Sequence, residues 1–219
     1  LTDFVAGSLD QSTLPMLQPP LYARSSATKT LSRNLKEVLA IQAKTPLHEL
    51  GWYINPDLIS NVYQWIVELH SFDATLPLAQ DMKAAGVTSI VLEIRFGKDY
   101  PFSPPFVRVI RPRFLPFQAG GGGHVTAGGA MCMELLTNTG WTSVSTIESV
   151  LLQVRVEMMN IDRPARLESK HKGSQRDYGT AEAIDAYERS CKMHGWAVPP
   201  GFRDFANPAG GSGESSSGY

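Results

Sequence analysis

Between Gly120 and Trp141 the chain reads G-G-G-G-H-V-T-A-G-G-A-M-C-M-E-L-L-T-N-T-G-W, and six of the ten residues from Gly120 to Gly129 are glycine. Glycine loses more conformational freedom on folding than any other residue. A folded chain keeps such a run where backbone must adopt positive φ or pass very close to another group. Taken alone, a glycine run also describes a flexible loop. This one ends in the apolar, thiol-bearing segment Ala130-Met131-Cys132-Met133. That ending favours a scaffolded loop presenting Cys132, and the rest of the chain must supply the scaffold.

Periodicity gives its outline. Residues 1–28 hold few charges (Asp3, Asp10 and Arg24) and prolines at 15, 19 and 20, the composition of a disordered linker. From Thr30 the pattern is helical. Leu31, Leu35, Val38, Leu39 and Gln42 share one face, Lys29, Arg33 and Lys36 lie opposite, and Pro46 stops the helix. Three strand-like runs follow, over 61–69, 87–96 and 106–110. Ile90, Leu92, Ile94 and Phe96 alternate with Glu93 and Arg95 in the clearest of them, whereas Val62 and Ile66 blur the first. The segment Tyr100-Pro101-Phe102-Ser103-Pro104-Pro105 excludes regular structure and reads as a rigid extended loop. Short connections favour an antiparallel meander.

Beyond Trp141, Ser145 with Glu148 suggests a capping box, and Ile147, Val150, Leu151, Val154 and Met158 form an apolar stripe. A last helix is expected over Thr180–His194, with Ile184, Tyr187 and Cys191 on one side and Gly195 as its stop. Residues 204–219 read as a low-complexity tail. Helix, three or four strands, an irregular loop, then helices: the fold class is α+β.

Composition excludes more than it assigns. The 219 residues carry a net charge of −1, which gives no electrostatic signal for nucleic acid or membrane surfaces, and no apolar run approaches the ~20 residues of a membrane span. Two cysteines make no disulfide framework, and no signal peptide is visible, so an intracellular compartment, cytoplasmic or nuclear, is expected. No G-x-x-x-x-G-K-[ST], G-x-G-x-x-G, C-x-x-C or H-E-x-x-H is present, so neither a nucleotide loop nor a zinc site is expected. Cys132 reads either as a buried structural thiol or as a nucleophile. The glycine approach, together with His124 eight residues earlier, favours the nucleophile. His171 and His194 could partner a papain-type cysteine, but the residues around Cys132 carry nothing of that signature.

In order along the chain, the amphipathic first helix, the Tyr100-Pro101-Phe102-x-Pro104-Pro105 turn, Cys132-Met133-Glu134-Leu135-Leu136, and Trp141 before Ile147-Glu148-Ser149-Val150 resemble the ubiquitin-conjugating enzyme fold. G-G-A-x-C-M-E-L-L and the late H-G-W-x-x-P-P (His194 to Pro200) resemble its Q-type branch. The resemblance covers about residues 30–200 and sets the expected domain at 29–203. Similar Q-type domains also end longer fungal chains with a poly(ADP-ribose) polymerase-like region, and the Leu at position 1 and linker-like start suit a domain of such a chain.

The resemblance implies an acyl carrier without metal or organic cofactor. Cys132 would accept ubiquitin or a ubiquitin-like protein as a thioester from an activating enzyme and pass it to an amine, usually a substrate lysine. Lys29, Arg33 and Lys36 would face the activating enzyme, and Phe102, Ser143 and Val144 a ubiquitin ligase. The competing expectation is a catalytically weak module of the same fold that binds ubiquitin or a partner. The family's His-Pro-Asn is altered here: His124 matches the histidine of the active-site loop, while Val125 and Thr126 replace the other two. Ser143 stands where a ligase-contacting proline is common, and Asp162 is out of register with the acidic residue that gates the lysine. Thr126, the backbone of Gly128 and Gly129, and Asn138 on the turn Thr137–Gly140 are the candidate oxyanion donors. Asn138 also suits a plain turn.

Overall fold

The computed structural model describes residues 2–23, 26–168 and 176–207. Its elements run α1 (Ser26–Lys44), α2 (Leu47–Leu50), β1 (Trp52–Tyr53), β2 (Gln64–His70), α3 (Pro77–Ala85), β3 (Ser89–Arg95), β4 (Phe106–Arg111), α4 (Ile147–Met158), α5 (Thr180–His194) and α6 (Phe202–Ala206). The strands form one antiparallel meander in the order β1-β2-β3-β4, with Trp65 opposite Ile94 and Ile94 opposite Val107. This is the α+β architecture that the pattern predicts.

One sheet face packs Trp65, Val67, Leu69, Ile90, Leu92, Ile94, Val107 and Val109 against α1 and α4. Leu31 and Val38 of α1 are buried there, and Gln42 closes the helix onto the chain by bonding both the N–H (2.7 Å) and the carbonyl (2.8 Å) of Ile54. The whole apolar stripe of α4 is buried. Its cap is Thr146 rather than Ser145: the Thr146 hydroxyl accepts from the Ser149 N–H at 3.1 Å. Two adjacent hydroxyl residues give the same sequence signal, and only the backbone decides between them.

The other sheet face is covered too, which is why β2 is buried at every position and why Ile66 blurs its alternation. Part of that cover is the N-terminal stretch expected to be a linker. Residues 2–23 lie along the sheet: Leu14 packs with Leu58, Ile66, Val91 and Ile110, and Gln64 accepts from Leu17 N–H while donating to the Pro15 carbonyl. Phe4 stacks on His70 with ring centroids 4.0 Å apart. Low charge and prolines carry no period, so periodicity alone does not reveal a segment that docks through isolated side chains. The expected tail from 204 begins inside α6, with Phe205 and Ala206 buried, and residues 208–219 lie outside those described. Helix α3 falls in a stretch without a predicted element, although Pro77 at its first turn and Gly86 (φ 66°) after its end are ordinary helix bounds.

Burial of His70 pushes its pKa down to about 4, and the nearby Arg155 guanidinium acts in the same direction. The folded state therefore prefers the neutral ring. Stability is full above the unfolded value of 6.5 and is lost as pH falls from there to about 4, by on the order of 3 kcal/mol. Melting temperature should drop across that window, and His70→Phe should flatten the slope. An equally steep slope in the variant would remove His70 from the account.

Candidate active site

The glycine run builds a small hairpin laid along β4. Val125 bridges Met131, the Cys132 N–H donates to the His124 carbonyl at 2.9 Å, and the Thr126 N–H donates to the Ala130 carbonyl at 3.0 Å. Two further backbone bonds fix it to the strand, from Met131 N–H to the Val107 carbonyl (2.9 Å) and from Val109 N–H to the Gly129 carbonyl (2.8 Å). The tip needs glycine for space as well as for angle. A Cβ on Gly128 would sit 2.1 Å from the Glu182 carbonyl oxygen of α5, and one on Gly129 (φ 88°) 2.6 Å from the Tyr178 ring. Scaffolding, not flexibility, accounts for these glycines.

His124 is the cross-strand partner of Cys132. It takes positive φ (58°), and its Nδ1 lies 2.8 Å from the Cys132 carbonyl oxygen while Nε2 lies 3.1 Å from Glu157 Oε2 of α4. The ring therefore fixes the backbone of the cysteine and does not touch its sulfur. Met131 and Met133 are buried on either side, so the loop is anchored through its apolar residues.

Cys132 itself is only 7% exposed. Its cover is α5, which sequence reasoning placed as a helix but not over the thiol. Ser190 Oγ donates to Cys132 Sγ at 2.6 Å, and His194 Nδ1 lies 4.0 Å from the same sulfur. Burial pushes the thiol up, and the Ser190 bond partly offsets that. His194 Nδ1 is also 2.8 Å from the Ser190 carbonyl oxygen, and its ring stacks on Trp196 at 4.5 Å. A nitrogen held on a carbonyl carries the hydrogen, so Nδ1 cannot take the thiol proton and a papain-type pair is not built. His171, the other histidine considered for that pair, lies outside the described residues. Ser190 was missed, although a serine among Ala183, Ile184, Ala186, Tyr187 and Cys191, all buried, was a visible signal.

The candidate oxyanion donors separate. The Gly129 N–H is already bonded to the Thr126 carbonyl at 3.0 Å, and the Gly128–Gly129 tip is pressed against α5 and Tyr178. These amides do not form the open nest expected of them. The Thr126 hydroxyl is buried without a hydrogen-bond partner. Asn138 is exposed on its turn.

A second feature lies on the neighbouring loops. Trp141 Nε1 donates to the Pro101 carbonyl at 2.7 Å, which ties the proline turn to the stretch after Trp141. Phe102 (81% exposed) and Val144 (84%) project from the two tied loops, and Ser143 is exposed beside Val144. On α1, Lys29, Arg33 and Lys36 are exposed as their pattern predicts, and Arg33 lies 3.9 Å from Glu37.

Comparison with known proteins gives the family. The family model described as "Ubiquitin-conjugating enzyme" matches residues 56–183. A Drosophila melanogaster ubiquitin-conjugating enzyme Q-like protein is 34% identical over 175 residues, 78% of this chain and 53% of that one. Mouse ubiquitin-conjugating enzyme Q-like protein 1 is 36% identical over 152 residues, covering 68% of this chain and 89% of the relative. Mouse ubiquitin-conjugating enzyme E2 Q1 is 33% identical over 181 residues, 80% of this chain. The chain thus spans about half of the fly relative's length and 40% of that of mouse E2 Q1. With its meander, its Cys132 hairpin and these matches, the chain belongs to the ubiquitin-conjugating enzyme family, in its Q branch.

Proposed function

We propose that the chain carries ubiquitin, or a ubiquitin-like protein, as a thioester on Cys132 and transfers it to an amine, usually a substrate lysine. The observation that carries this reading is the Cys132 hairpin. A thiol is held by backbone bonds that tie the preceding residues to β4 and by His124 on its own backbone, with a donor aimed at its sulfur. A sulfur so placed serves first as nucleophile and then as leaving group, which a serine oxygen does poorly. The partners follow from the reading. Lys29, Arg33 and Lys36 offer a basic helix face to the activating enzyme, and Phe102, Ser143 and Val144 offer an apolar point to a ligase. Asn138 is the exposed amide left to serve the oxyanion. A free thiol in this role suits a reducing, intracellular compartment.

The test is single-turnover transfer: protein preloaded with ubiquitin should release it to free lysine, and a thioester that water alone discharges would refute the reading. Phe102 refines it. An aromatic this exposed is no core plug, so Phe102→Ala should change folding stability by no more than about 0.5 kcal/mol. It should load normally and lose most of the ligase-stimulated transfer. Unchanged stimulation would remove Phe102 from the ligase surface.

A further inference from the structure

We infer that Ser190 of α5 is a further catalytic residue, a hydroxyl donor to the Cys132 sulfur. The inference rests on Cys132 being the nucleophile. Its basis is geometric. The thiol is almost fully buried, yet the group against it is a hydroxyl, itself buried at 7% exposure, whose oxygen is 2.6 Å from the sulfur. A serine inside a helix usually returns its hydrogen to a carbonyl one turn back. Here it is directed across 58 residues of sequence to the one sulfur the reaction needs.

The surroundings leave this donor without a substitute of equal reach. His194 Nδ1 is 4.0 Å from the sulfur and engaged with the Ser190 carbonyl. Cys191 and Tyr187 are also on α5 and near the sulfur, but the Tyr187 hydroxyl donates to the Leu136 carbonyl at 3.1 Å. His124 spends its contacts on the Cys132 carbonyl and on Glu157. The family model stops at residue 183, inside the first turn of α5, so Ser190 lies beyond the part of the chain that it matches.

Chemically, the donor acts at both ends of the carrier cycle. In loading, the Cys132 proton leaves to solvent. The thiolate then forms a bond to the carbonyl carbon of the incoming thioester while the activating enzyme's sulfur departs with its electron pair. In discharge, the amine nitrogen forms the new bond and gives up a proton to solvent, the carbon–sulfur bond breaks, and the electron pair returns to the Cys132 sulfur. A hydrogen bond stabilises that sulfur whenever it is charged, in a setting where burial opposes charge. One donor therefore speeds both attack and departure.

Alkylation of Cys132 by iodoacetamide tests this without ubiquitin or partner. Its rate is followed on the Cys132 peptide by mass spectrometry from neutral to alkaline pH, and the midpoint reads the thiol–thiolate balance. Ser190→Ala should move the midpoint up by about one pH unit, the effect of one hydrogen bond to a charged acceptor. Thioester loading at neutral pH should slow roughly tenfold with it, since only the thiolate attacks. Ser190→Thr should restore the wild-type midpoint and Ser190→Val should not, a pair that holds side-chain volume constant if alanine disturbs the helix. Faster alkylation with an unmoved midpoint would mean that Ser190 is only a cover, and would overturn the proposal. Should the wild type never load, the carrier reading falls. A wild type that loads, with an unmoved variant midpoint, overturns the role of Ser190 alone.

Discussion

Replacing Glu93 with alanine should destabilise the fold by about 3–5 kcal/mol. Glu93 is fully buried on the sheet face opposite α1, between Arg95 (3% exposed) and Arg108 (1%). Arg108 Nε lies 2.7 Å and Arg95 Nε 2.9 Å from the same carboxylate oxygen, and Gln64 donates to the other. Burial alone would raise this carboxyl, but the two guanidiniums more than offset it and hold it below the ordinary carboxylate range. Truncation would leave two buried positive charges facing each other. Chemical denaturation checks the figure, and a loss under about 1 kcal/mol would mean that the cluster is not a closed ion network. The folded carboxylate is the charged form. Its contribution is therefore present above the ordinary carboxylate range and lost as pH falls through the depressed value.

The cluster matters beyond stability because it fastens the end of the chain to the sheet. Arg108 donates to the Tyr178 carbonyl (3.0 Å), and Arg95 donates to the Thr180 hydroxyl (3.2 Å) and to the Ala206 carbonyl. Those residues bracket α5 and α6. Loosening them frees the helix whose Ser190 lies on Cys132.

Much of this was legible in the sequence, for local reasons. The bounds of α5 follow from its period and from Gly195, which closes it in the left-handed region (φ 70°). The stripe of α4 follows from burial on one side, and β3 from the alternation of Ile90, Leu92, Ile94 and Phe96 with Glu93 and Arg95. What periodicity does not contain is the identity of the surface opposite. It shows that Ile184, Tyr187 and Cys191 face inward, but not that Ser190, on the same turn as Cys191, reaches the Cys132 sulfur. The glycines were readable as crowding, but what crowds them was not: the Glu182 carbonyl and the Tyr178 ring lie about fifty residues further along the chain. The same limit hid residues 2–23. Phe4, Leu14 and the backbone around Pro15 dock one contact at a time on His70, Ile66 and Gln64, and single contacts leave no pattern.

The central claim is that Cys132, and not Cys191, carries the acyl group. Cys191 is 1% exposed within the α5 core cluster, whereas Cys132 sits on a hairpin fixed by His124 and β4. On that claim Cys132→Ala removes the atom that forms the thioester, so the expected loss is complete. Serine in its place would give at most an oxygen ester that resists reductant. Cys191→Ser should still load. The direct measurement is incubation of wild type and the three variants with activating enzyme, ATP and ubiquitin, followed by electrophoresis with and without thiol reductant. The account predicts a reductant-sensitive adduct for wild type and Cys191→Ser and none for Cys132→Ala. A normal reductant-sensitive adduct on Cys132→Ala would contradict it.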